Sequence, residues 1–107
     1  MNIFIILFKV NFNDLSNKPF DGESAFVRCY CPAEQFETAI EKSIEKLLED
    51  KYQIDEILSD IYQMDSSDWS QHIEDQWPEL VEMMYSQKEF EAQINKGTVV
   101  YGPFGTY

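Results

Sequence analysis

The soft or borderline metal ligands in this chain are few: Cys29, Cys31 and His72. A C-x-C pair with one distant histidine lacks the second ligand pair of a zinc site. The run Asp65-Ser66-Ser67-Asp68 has neither the alternating oxygen ligands of a calcium loop nor its turn glycine and closing glutamate. His72-Ile73-Glu74 matches half of a zinc-deaminase signature, and the Pro-Cys-x-x-Cys half is missing. There is no Gly-rich phosphate loop, no G-x-S-x-G elbow and no C-x-x-C. Of the carboxylate pairs, Glu74 and Glu79 face different ways. Asp75 and Glu79 share a face only on a helix that continues through Pro78. The expectation is a protein that is not an enzyme and needs no metal or cofactor.

Charge is the stronger signal. The chain carries 20 acidic and 8 basic residues, a net charge of -12 on 107 residues, more than a small domain needs for solubility. From Tyr52 to Gln87 there are nine carboxylates (Asp55, Glu56, Asp60, Asp65, Asp68, Glu74, Asp75, Glu79, Glu82) and no Lys or Arg. Such a surface repels nucleic acid, whose phosphates require clustered Lys and Arg, and attracts basic proteins. Trp69, Trp77 and Tyr85 lie in the same segment, where large aromatics beside charge resemble interface hot spots. Trp69 continues the apolar stripe of Ile73 and reads as core. Trp77, directly before Pro78, is the best candidate for a partly exposed anchor. The candidate partner-binding residues are therefore Asp55, Glu56, Asp60, Asp68, Glu74, Asp75, Trp77, Glu79, Glu82 and Tyr85. A second acidic ridge, Glu34, Glu37, Glu41, Glu45 and Glu49, has helical spacing, with Lys42 and Lys46 beside it to reach Glu49 and Asp50.

These residues must be positioned by one domain, because 107 residues hold a single core. At 44% hydrophobic and 15% aromatic the composition is that of a packed globule, not of a disordered acidic tail. The opening Ile3-Phe4-Ile5-Ile6-Leu7-Phe8 is too short to span a membrane and lacks the basic start and small-residue cleavage site of a signal peptide. It reads as a central strand buried on both faces. Cys29 and Cys31 are too close for an ordinary disulfide and read as reduced, which places the protein in the cytoplasm.

The first strand covers about Ile3 to Phe12, followed by a long loop over residues 13–23 rich in Asn, Asp, Pro and Gly. Ser24 to Cys31 alternates Ala25, Val27, Cys29 and Cys31 against Ser24, Phe26, Arg28 and Tyr30, so a half-buried strand pairs antiparallel with the first. Pro32 suits a first helical turn, and from Ala33 to Lys51 the apolar residues Phe36, Ala39, Ile40, Ile44, Leu47 and Leu48 have the steps of an amphipathic helix. Tyr52 to about Met64 fits helix or strand, and its β-branched content favours a strand, giving a strand-helix-strand unit with a right-handed crossover. Ser66-Ser67-Asp68 offers caps for a helix that Pro78 must divide near Gln76 and Trp77. A further helix runs to about Asn95, Gly97 caps it, and Thr98 to Tyr101 is a last strand.

The order ββαβααβ predicts an α+β two-layer domain, a mixed sheet of three or four strands with helices packed on one face. Size, charge and lack of catalytic machinery are those of a small acidic protein-binding inhibitor. An immunity-type protein that neutralises a basic toxin, such as a nuclease, fits best. The alternatives are a self-associating structural or regulatory module, which makes the partner a second copy, and a nucleic-acid mimic directed at a DNA-binding protein. Neither direct nucleic-acid binding nor membrane insertion is expected.

Overall fold

Six apolar residues in a row, Ile3 to Phe8, need cover on both sides once extended, since consecutive side chains of a strand point to opposite faces. In the computed structural model, which describes residues 2–12 and 24–105 and, within them, all side chains but those of Phe12, Ser59 and Asp60, this run lies in the inner strand β1 (Asn2–Phe12). The loop expected over residues 13–23 lies outside the described residues. Ile3, Phe4, Ile5, Ile6, Phe8 and Val10 are all buried.

β2 (Ser24–Pro32) pairs antiparallel with one side of β1, Ile6 standing opposite Cys29, and β3 (Tyr52–Asp65) pairs antiparallel with the other, Ile6 opposite Ile61. The short β4 (Val100–Tyr101) pairs antiparallel with β2, so the order is β3-β1-β2-β4. A bridge from Phe26 to Gly105 follows β4 along the same edge. β2 and β3 run parallel to each other with β1 between them, so the strand-helix-strand unit forms as expected but is split by the first strand. Every hydrogen-bonded pair is therefore antiparallel, where a mixed sheet was expected.

The α+β class and the element order stand. The helices, however, cover both faces of the sheet, because β1 is apolar on both. On one face α1 (Phe36–Glu49) packs Ala39, Ile40, Ile44 and Leu47 over Phe4, Ile6, Phe8, Val27, Cys29 and Cys31. On the other, α2 (Trp69–Gln76) and α3 (Gln87–Asn95) pack Trp69, Ile73, Phe90 and Ile94 over Ile3, Ile5 and Tyr30. The second core is aromatic. Trp69 and Phe90 stack 4.1 Å apart with planes 2° from parallel, and Tyr30 meets Trp69 edge-on at 5.0 Å. Pairs of this kind contribute about 0.5–1.5 kcal/mol beyond the area they bury.

Local chemistry explains the remaining boundaries. Pro32 does not open α1. It closes β2 opposite Ile3, and its carbonyl accepts the Lys42 ammonium at 3.2 Å. Lys51 takes a left-handed conformation, φ 72°, that turns the chain straight from α1 into β3. In β3 the register jumps twice, from Ile61 to Ile57 opposite Ile6 and Phe8, and from Glu56 to Ile54 opposite Lys9 and Val10. Such bulges twist an outermost strand and disfavour edge-to-edge pairing. The helix expected between Pro78 and Asn95 is instead a short 3-10 turn, Val81–Met83, followed by α3. Ser86 and Glu89 form a reciprocal capping box that starts α3. Gly97, at φ 78°, ends it as expected. Among the described residues no helix is long and apolar enough to cross a membrane.

Candidate protein-binding surface

Pro78 can neither donate a helical hydrogen bond nor accept the turn before it, so α2 stops at Gln76, as its position in the sequence predicted. The Trp77 amide still reaches the Ile73 carbonyl at 2.7 Å, and tight turns at Leu80 and Met83 then send the chain back along α2. The returning segment is fastened at the start of α2. The Trp69 indole N–H donates to the Tyr85 carbonyl at 2.8 Å. Gln87 accepts from the Ser70 amide at 2.9 Å and donates to the Ser66 carbonyl at 2.7 Å. Residues 78–86 thus form an outer strap whose ends are tied to the two ends of one helix.

This arrangement gathers six of the predicted residues, five carboxylates and Tyr85. Asp68 precedes α2, Asp75 lies on its outer side with its carboxylate accepting from the Gln71 amide at 2.9 Å, Glu74 lies next to it, and Glu79 and Glu82 lie on the strap. All five are exposed, and none forms an ion pair among the described residues. On the strap they alternate with apolar side chains. Met83 is 82% exposed, and Val81 and Tyr85 are exposed beside it. A hollow of ≈ 460 Å³ opens here, and Met83, Met84, Tyr85, Trp69, Tyr101 and Lys46 are among its lining residues. Apolar side chains and a hollow inside a charged rim are the anatomy of a protein interface.

The other predicted residues are placed elsewhere. Asp55 is the extra residue of a β3 bulge, and its carboxylate pairs with Lys9 at 3.3 Å. A basic partner absent from its own segment is thus supplied by the neighbouring strand. Glu56 stands opposite Lys9 in the ladder, and the Asp60 side chain lies outside the described residues. Trp77 is half-buried, with the Arg28 guanidinium 5.4 Å from its ring centre and His72 edge-on at 5.9 Å. Trp69 is fully buried, as expected. The ridge of Glu37, Glu41, Glu45 and Glu49 is exposed on α1, across the sheet from α2; Lys46 there pairs with Asp50 at 3.5 Å.

Val81 and Met83 were missed by the sequence reading. Their signal was the alternation Val81, Met83, Tyr85 after a proline, which competes with a helical reading through Leu80, Val81 and Met84.

The groups with reactive chemistry do not converge. Cys29 and Cys31 lie under α1, whereas His72 lies on the opposite face, where its Nε2 is 2.7 Å from the Tyr30 hydroxyl. Burial pushes both thiols upward, and at Cys31 the nearby Lys42 ammonium opposes the shift in part. Among the described residues no group of three or more His, Cys, Asp or Glu side chains is placed to hold a metal ion. No protein-family model matches the chain, no curated protein is detectably similar to it in sequence, and no solved structure is detectably similar to it in fold.

Proposed function

We propose that this protein is a small acidic inhibitor of the immunity type, which neutralises a basic toxin by covering its functional surface. One observation carries the reading. Asp68, Glu74, Asp75, Glu79 and Glu82, all exposed and without ion pairs among the described residues, lie on the same helix and strap as the exposed Val81, Met83 and Tyr85. Carboxylates so placed speed the encounter with a basic protein, and the apolar side chains supply buried contact once it docks. A nuclease toxin suits this surface, since its own ligand is polyanionic. No catalytic role is part of the proposal, and the protein acts in the compartment of its target, the cytoplasm.

Affinity capture from the source lysate at low and at moderate salt, read by mass spectrometry, tests the proposal. A stoichiometric basic partner released by salt supports it; recovery of the protein alone contradicts it. A second reading, self-association, is favoured by the outer edge of β3, a strand of 14 residues with no neighbour on that side among the described residues. Two bulges and the carboxylates of Asp55 and Glu56 oppose it. It predicts an oligomer that tightens as salt screens its like charges.

A further inference from the structure

Arg28 is the only arginine in the chain, and although the sequence holds 20 acidic residues, its guanidinium forms no ion pair and no side-chain hydrogen bond among the described residues. It is half-buried in the middle of the sheet face that α2 covers only in part. Its guanidinium lies 5.4 Å from the centre of the Trp77 ring. A cation–π contact offsets part of the cost of holding a cation out of water, but it leaves the in-plane N–H donors unused. Arg28 also stands between two hollows. One of ≈ 440 Å³ is lined by Ile5, Tyr62, Gln63, Met64, His72 and Gln76. The other, of ≈ 290 Å³, lies beyond Trp77 and is lined by Leu7, Phe26 and Leu80.

We infer that Arg28 and the larger hollow form a binding site for a small organic monocarboxylate with an apolar body. The planar fork of a guanidinium matches a carboxylate through two parallel hydrogen bonds. Ile5, Met64 and the Tyr62 ring supply the apolar wall, and Gln76 adds a polar side chain to the lining. His72 adds no second positive charge at neutral pH, because burial and the nearby Arg28 hold its ring below the ordinary histidine range. The molecule's net charge of -12 repels a dianion more than a monoanion, so carboxylate is favoured over phosphate. The site lies across the sheet from α1 and does not use the carboxylates of the strap, so it stands or falls independently of the proposed inhibitor role.

The test is a two-dimensional NMR titration of the intact protein with phenylacetate at constant ionic strength, with phenylacetamide and inorganic phosphate as comparison probes. Phenylacetate is expected to give saturable shifts at the Trp77 indole and at the amides of Arg28, Gln63 and His72. Phenylacetamide, which keeps the ring and loses the charge, is expected to bind at least about tenfold more weakly. Arg28→Met is expected to remove the difference between acid and amide; should that variant fail to fold, the comparison within the wild-type protein still decides. No saturable shift with phenylacetate, equal binding of acid and amide, or phosphate binding as tightly as phenylacetate would each overturn the inference.

Discussion

The indole N–H of Trp69 donates to the backbone carbonyl of Tyr85 at 2.8 Å, so a fully buried core residue holds the exposed strap in place. The same indole stacks on Phe90. The surface proposed to meet a partner is thereby preorganised by the core, which lowers the entropy lost on binding.

Trp69→Phe separates these two roles. It keeps an aromatic ring for Phe90 but removes the donor to Tyr85 and leaves a small void. Stability is expected to fall by about 2 kcal/mol, and amide exchange in residues 81–86 to accelerate more than in β1. Equal acceleration throughout the protein would mean that the hydrogen bond does not govern the strap.

Ser43 is fully buried at the centre of the inner face of α1, and its hydroxyl has no conventional hydrogen-bond partner among the described residues. Ser43→Ala removes an uncompensated polar group with almost no change of shape, so stability is expected to be unchanged or raised by about 1 kcal/mol in urea denaturation. A loss of similar size would show instead that the hydroxyl is held by the Cys29 or Cys31 thiol.

The pH response of His72 follows from its surroundings. Burial first, and then the charge of Arg28, push its pKa below the usual 6.5, against a smaller upward pull from Asp75. The unfolded chain then binds the proton more readily than the folded one. His72 therefore contributes stability that is fully present above about pH 6.5 and is lost as the pH falls through the folded value. As the only histidine in the chain, it gives a single ring signal in NMR. Its midpoint is expected below 6.5 and is expected to rise in Arg28→Met; a midpoint at or above 6.5 in the native protein would contradict the placement.

The elements legible in the sequence were those whose periodicity had one physical solution. The unbroken apolar run of β1 demanded a doubly covered strand, and Pro78 demanded a break at Gln76. The β-branched residues of Tyr52 to Met64 also decided correctly for a strand over a helix. The pairing of β3 was not legible, because it depends on β1 lying between β2 and β3, a long-range choice that no local spacing encodes. Nor did the helical spacing of α1 identify its inner line. Ala39, Ser43 and Leu47 face the sheet, while Phe36 and Leu48, counted as core from their polarity, remain exposed. The capping box of Ser86 and Glu89 was present in the sequence, but it lies inside the span read as one helix from Pro78 to Asn95. At the candidate site, charge located Glu74, Asp75, Glu79 and Glu82. The contribution of Met83 emerged only once the chain was seen to turn back along α2.

In the proposed inhibitor the strap and α2, and not acidity in general, recognise the basic partner. The direct measurement is calorimetric titration of the captured partner with three forms of the protein: wild type, Glu79→Lys with Glu82→Lys, and Glu37→Lys with Glu41→Lys. The two double variants make the same change in net charge on opposite sides of the sheet. Reversal on the strap is expected to weaken binding by at least about tenfold, roughly 1.4 kcal/mol, while reversal on α1 changes it by less than about threefold. Equal losses in the two variants would contradict the proposal.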